Sequence, residues 1–147
     1  MSATYTDNQV LSGSWARVWI AGELLAECTG ITARITETRQ DVQQGVDIGT
    51  KLVGMKGEGT ITLNHVYTTK MDMIKEKIKG KDPRFLIQAG IADPDAVDGV
   101  VEKWNFHNCA FTETQLFDWK NGELAKKEIP FVFPPSQVNV VSSIVSK

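Results

Sequence analysis

The sequence predicts a mainly β domain of the α+β class: two packed antiparallel sheets, a β-sandwich or split barrel, with one α-helix over residues 69–79 and a long extended loop over residues 40–57. Three observations predict it. Apolar and polar residues alternate with a period of two in several segments, turn residues separate those segments at hairpin spacing, and only one stretch carries helical periodicity. The chain of 147 residues suits one domain with a core of its own. Neither an internal repeat nor a change of composition divides it, so residues 1–147 read as a single domain.

Residues 1–14 are polar and unpatterned and read as an N-terminal arm. Residues 15–20 are β-rich, and Ala21-Gly22 turns them into 23–29, a first hairpin. In 31–38, Ile31, Ala33 and Ile35 fall on one face while Thr32, Arg34 and Thr36 fall on the other, as in a strand packed on one side and wet on the other. Residues 59–67 repeat the pattern: Ile61 and Leu63 inward, with His65 continuing that face, and Thr60, Thr62 and Asn64 outward. In the helix, Met71, Ile74 and Ile78 share a face, lysines crowd the C-terminal end where the dipole favours cations, and Gly80 and Pro83 stop it. Residues 84–91 read as a buried strand and 100–111 as a long one, with Trp104 and Phe106 inward, running on in bent form through Trp119. Asn121-Gly122 is the strongest hairpin signal. Residues 124–133 return with Ile129, Phe131 and Phe133 on one face, until Pro134-Pro135 ends the strand. Residues 136–147 form a C-terminal tail able to add a strand, in this chain or in a neighbour.

Composition and motifs exclude several functions. The net charge of −2 lacks the basic excess through which nucleic-acid binders gain affinity by counterion release. No apolar run reaches the ~18 residues of a membrane helix, and the start MSATYTDNQV has neither the basic nor the apolar region of a signal peptide, so cytoplasmic synthesis without membrane insertion is expected. Cys28 and Cys109 lie far apart, outside any CxxC pair, and read as buried thiols in a reducing compartment. His65 and His107 lack metal-ligand spacing. Residues 93–99 miss the calcium-loop spacing by one residue and would place Trp104 at the bidentate glutamate position. The glycines around 45–51 and 57–59 match neither a P-loop nor a dinucleotide fingerprint. No enzyme, metal or cofactor is therefore expected.

What remains points to association. The 40–57 loop is longer than compact domains need. Its glycines are interspersed with Val46, Ile48, Leu52 and Val53, which suits a segment that becomes ordered against another surface. The residues assigned to such an inter-subunit contact are Gln44, Gly45, Val46, Asp47, Ile48, Gly49, Leu52 and Val53. The strands contain almost no proline to blunt their edges, and a ring of identical subunits joined edge to edge removes edges altogether. The outward residues Thr32, Arg34, Thr36, Thr60, Thr62 and Asn64 would then face a wet channel, with Arg34 paired to a carboxylate such as Glu58 or Glu113.

The segments SGSWARVWIAGELLAECTGITARI, TRQDVQQGVDIGTKLVGMKGEGTITL and WKNGEL with EIPFVF resemble the tail tube proteins of contractile-tailed bacteriophages and of phage-like elements of the PBSX type. The resemblance spans essentially the whole chain and is most specific over 38–63, including Lys56-Gly57-Glu58-Gly59. It implies two packed sheets plus a helix, hexameric rings stacked into a tube, and a long loop contacting the adjacent ring. It further implies a surrounding sheath, a baseplate or initiator, a tape-measure protein, and assembly into a virion or phage-like particle. DNA would pass through the lumen without specific binding, since a channel of Thr and Asn offers phosphates little to grip. The competing reading is a β-sandwich binding module for carbohydrate or a protein adaptor, which calls for an exposed aromatic platform drawn from Trp15, Trp19 and Trp119. A third, an enzyme with a site built from distant residues, calls for titratable groups clustered in one pocket.

Overall fold

The computed structural model describes residues 6–25, 28–64, 77–113 and 120–144. Eight strands follow in order: β1 (Ala16–Ile20), β2 (Glu23–Leu24), β3 (Cys28–Gln44), β4 (Asp47–Asn64), β5 (Phe85–Ile91), β6 (Glu102–Phe111), β7 (Lys126–Phe133) and β8 (Val138–Ser142). Every pairing is antiparallel. The hydrogen-bonded path runs β2-β1-β5-β6-β7-β4-β3, with β8 added on β6.

The path folds into two facing layers because β6 serves both. Its first half pairs with β5 and β8, and its last residues, Ala110 and Phe111, pair with β7. Between the halves the register slips: Phe85 pairs with Cys109 but Ile87 with Phe106, so one residue of β5 opposes two of β6. Asn108 sits in that bulge at φ 60°. Asparagine tolerates the left-handed conformation better than other side-chain-bearing residues, and a bulge bends and twists its strand. Val18, Ile20, Ile87 and Phe106 of one layer thus meet Ile61, Leu63, Ile129, Phe131 and Phe133 of the other in one buried cluster. Phe106 anchors it, with ring centroids 5.0 Å from Phe133 and 6.4 Å from Phe131.

The expected two-sheet fold is therefore present, with differences in detail. Ala21 and Gly22 both take positive φ, 53° and 84°, and turn β1 into β2 as a type I′ loop does. That second strand ends after Leu24, short of the expected 23–29. Residues 120–123 close a turn, Glu123 N–H donating to the Lys120 carbonyl at 3.1 Å. Only Gly122 takes positive φ there, so the turn is not the two-residue hairpin that Asn-Gly suggested. The tail strand β8 pairs within its own chain. Lys127 continues the inward face of β7 and is 3% exposed, a buried cation that alternation alone did not mark. Of the helix expected at 69–79 only its end lies within the described residues: 77 and 78 are helical, and Gly80 stops them at φ 86°. His65, Trp119 and residues 114–118 lie outside them.

The arm is tied to the domain. Asp93 is 6% exposed and its carboxylate accepts from the backbone of Ser12 and of Asp95, each at 2.9 Å. The Ala92 N–H donates to the Trp15 carbonyl at 3.2 Å. Asp93 thus caps a turn through Asp95 and holds the arm at Ser12 against the end of β5.

Candidate assembly surface

The 40–57 segment is extended as expected, but it is no irregular loop. β3 and β4 pair continuously from Cys28–Leu63 to Gln44–Asp47. Gly45 takes φ 65° at the first position of the two-residue tip, the type II′ requirement that glycine meets without strain. β7 accompanies β4 only as far as Gly57, opposite Phe133. Beyond that rung, residues 36–56 form a two-stranded ribbon with no third strand beside it among the described residues, roughly 30 Å long at ~3.4 Å per residue.

Register assigns the ribbon's faces. Ile31, Ala33, Ile35 and Glu37 share the core face with Ile61, Gly59, Gly57 and Met55. A slip between Thr38 and Arg39 leaves Val53 as an extra residue on β4, and beyond it Leu52 and Ile48 return to the same face. The core face therefore continues past the domain with an exposed apolar row of Ile35, Met55, Leu52 and Ile48, mostly on β4, beside the polar Glu37, Arg39, Asp41 and Gln43 of β3. Val46 at the tip is fully exposed and Ile48 is 68% exposed, Val53 stands in the bulge, and Val42, opposite Gly49, lies on the other face. Single exposed apolar residues are ordinary, but the ribbon carries six, Val42, Val46, Ile48, Leu52, Val53 and Met55, on its two faces and tip.

The eight residues assigned from sequence to the contact all lie on this ribbon: Gln44 opposite Asp47, Gly45 and Val46 in the turn, Gly49 opposite Val42, Ile48 and Leu52 on the stripe, Val53 in the bulge. Ile35 and Met55 share the face of Leu52 and Ile48, and the exposed Val42 lies on the face of Thr36. Ile35 was legible from its alternation with Ile31, whereas the bulge at Val53 hides the phase of Met55.

The six channel candidates also share one face, the opposite one. Thr32 pairs with Thr60, Thr36 with Lys56, and Thr62 and Asn64 follow along β4. Arg34 pairs with Glu58, with guanidinium and carboxylate 3.1 Å apart. Of the two carboxylates weighed from sequence, Glu58 is the partner seen. Thr60 and Thr62 are half-buried beside Pro130 and Glu128 of β7, and the others are open to solvent, apart from Glu58 itself. β3 ends the strand path among the described residues, which leaves its outer backbone edge without a neighbouring strand among them.

Gly57 and Gly59 explain why 56–59 is so particular. Both face the core under aromatic rings. A β-carbon on Gly57 would meet the ring of Phe133 and its carbonyl oxygen at 2.7 Å, and one on Gly59 would meet Cζ of Phe131 at 2.6 Å and the Thr32 carbonyl.

The tryptophans do not assemble a platform among the described residues. Lys103 Nζ lies 5.0 Å above the Trp19 ring, Trp104 donates to Glu102 at 2.8 Å, and Trp15 stands 48% exposed near the arm. The close ring pairs join phenylalanines.

Comparison with known proteins gives a consistent result. Solved structures of similar fold include the sheath-tube complex of an extracellular contractile injection system in its extended state (TM-score 0.64, 13% identity, 97% of this chain and 100% of that chain covered). The tube-terminating cap of the anti-feeding prophage is similar at TM-score 0.65, with 15% identity over 97% of this chain and 95% of that one. The six-fold symmetrised baseplate of the anti-feeding prophage gives TM-score 0.57, with 6% identity over 96% and 97%. At these identities the likeness establishes the fold. A search among curated proteins finds no match. The family of phage tail tube proteins matches residues 3–137, nearly the whole chain, and this protein belongs to it.

Proposed function

We propose that this tail tube subunit forms hexameric rings that stack into a tube, the ribbon of each subunit reaching into the adjacent ring. The observation that carries the reading is the ribbon: two strands projecting from a folded domain with an apolar stripe in water. Covering that stripe recovers about 25 cal/mol per Å² of apolar surface, which favours a partner over a solvated state. Within a ring, the outer edge of β3 pairs with a strand of the neighbouring subunit and leaves no edge open. The face bearing Thr32, Thr36, Thr60, Thr62 and Asn64 lines the lumen, where Arg34 is neutralised by Glu58. DNA or effectors then slide past hydroxyls and a balanced ion pair. Besides that pair the face carries Lys56, opposite Thr36, which offers phosphates far less than the dense cationic contacts of a nucleic-acid binder. The similar structures come from a sheath-tube complex, a tube-terminating cap and a six-fold baseplate, which supports a sheath and a baseplate as partners here and six subunits per ring. The role is structural, with the assembly itself as the functional product.

The test is electron microscopy of the concentrated protein. Hollow rings or tubes of uniform diameter and six-fold symmetry are expected. Deleting residues 44–49 should leave the domain folded and abolish stacking. Loss of the monomer fold on deletion, or a wild-type protein that stays monomeric even with its baseplate or initiator, contradicts the reading.

A further inference from the structure

The outer edge of β3 is an unguarded template. Its 17 residues include neither proline nor lysine, and residues 32–44 are all exposed. No strand covers that edge among the described residues. Val53, the extra residue in the ribbon, sits on β4, so the rungs of β3 run without a gap from Gly30 to Gln44. Proteins usually blunt such an edge with proline, lysine, bulges or a short strand. The ribbon is also thin, since two strands alone are marginal in water and three or more are needed for independent stability.

We propose that free subunits pair through this edge into a two-fold dimer, centred on Thr38, which holds them back from assembly. The dimer rests on the edge alone, and its restraint of assembly rests on the tube reading above. The fit of a second copy follows from register. A two-fold axis perpendicular to the sheet keeps every residue on its own face, so odd-numbered residues of β3 meet odd, even meet even, and one residue meets its own copy on the axis. Charge selects that residue. With Thr38 on the axis, Glu37 of each copy stands opposite Arg39 of the other, a pair formed twice, and residues 32–44 all find partners. Axes at Glu37, Arg39 or Asp41 set like charges face to face, which is destabilising. Axes at Ile35 or Thr36 bring no opposite charges together. An axis at Gln40 pairs Arg39 with Asp41 but overlaps only residues 36–44. Within one chain Glu37 and Arg39 already touch at 2.9 Å, both partly open to solvent, and the dimer gathers two charges of each sign. The joined sheet is four strands wide, β4-β3-β3-β4, the width that the free ribbon lacks. Dimer and ring use the same edge and exclude one another. The dimer needs two copies and the ring, on the reading above, six, so dilution favours the dimer, and concentration or an initiator favours the ring.

Cysteine scanning reads the register directly. Opposed residues of an antiparallel pair lie ~4.5–5.5 Å apart at Cα, within disulfide reach. Thr38→Cys should therefore cross-link to its own copy under oxidised glutathione, while the wild type, with Cys28 and Cys109 alone, stays unlinked. Thr36→Cys and Gln40→Cys should each stay unlinked alone and link when mixed, because each faces the other across the axis. Light scattering of the dilute wild type should give a dimer. Glu37→Arg sets cations opposite Arg39 and should weaken dimerisation on the order of tenfold, and adding Arg39→Glu should restore it. Oxidised Thr38→Cys should enter no rings until a reductant releases it. A wild type that is monomeric at every dilution below ring formation, self-linking at Gln40 in place of Thr38, or tubes at full yield from the oxidised variant overturns the proposal and leaves the tube reading intact. A wild type that dimerises through Thr38 yet forms no rings even with its baseplate or initiator removes the tube reading and, with it, the restraint of assembly, while the dimer stands.

Discussion

Gly59 lies directly across β4 and β7 from Phe131, so close that a β-carbon at 59 would fall 2.6 Å from the ring's Cζ. Phe131 is 1% exposed and cannot swing away, and on the other side the Thr32 carbonyl is part of the β3–β4 ladder. Gly59→Ala must therefore push either an aromatic ring or a strand. Overpacking of this kind costs about 1–3 kcal/mol, and Gly59→Val should cost more. Denaturant unfolding of both variants checks this, and midpoints equal to the wild type would show that β4 and β7 sit further apart than described.

The Asp93 carboxylate serves two backbone N–H groups, those of Ser12 and Asp95. Asp93→Ala strands both donors, a loss of about 1–3 kcal/mol for a buried site. Asp93→Asn keeps one acceptor oxygen and should fall between. Because Ser12 belongs to the arm, the effect should be local: hydrogen exchange at residues 12–16 should accelerate well before the core strands respond. Uniform acceleration across β4 and β7 would mean that Asp93 holds the whole domain instead of the arm.

Much of this fold was legible because alternation writes burial directly into sequence. Ile61 and Leu63 are fully buried while Thr60 and Thr62, which alternate with them, are not, and Ile129, Phe131 and Phe133 are buried in the same alternation. The ribbon was legible only as a place. Its glycines and the bulge at Val53 break the period of two, and neither face is buried in the monomer, so no burial contrast marks it as paired strands. Asn108 was silent for a related reason, since a left-handed residue inside a long strand leaves no compositional trace. The bond from Ser12 to Asp93 joins positions 81 apart, which local patterns cannot connect.

Burial pushes the Cys109 thiol up from 9.0 to about 11, a backbone hydrogen bond at Ile87 offsetting part of the rise. Below pH ~9 the folded and unfolded chains both hold the proton, and this group leaves stability flat. Between pH 9 and 11 the unfolded chain releases it while the folded chain keeps it, so stability should fall by on the order of 2–3 kcal/mol as the pH rises. Cys109→Ala should remove that slope at the cost of a small cavity. In the native protein Cys28, which is half-buried at the start of β3, should react with a thiol reagent long before Cys109. Equal native labelling rates would contradict the burial of Cys109.

The Arg34–Glu58 pair separates stability from function. Its side chains are 75% and 34% exposed, so the pair contributes no more than about 1 kcal/mol, and Glu58→Gln should leave the unfolding midpoint nearly unchanged. On the proposed lumen assignment of this face, its effect falls on the channel. Six subunits per ring would each lose a negative charge, and every ring would present uncompensated guanidinium groups to a passing polyanion. Assembled Glu58→Gln tubes should retain short single-stranded DNA at low salt where wild-type tubes do not, and release it steeply as salt rises, in the manner of counterion-coupled binding. Arg34→Gln in the same background should abolish the retention. If the charge change alters neither retention nor its salt dependence in intact tubes, the face bearing Arg34 points away from the lumen, and the opposite assignment of the two ribbon faces has to be adopted.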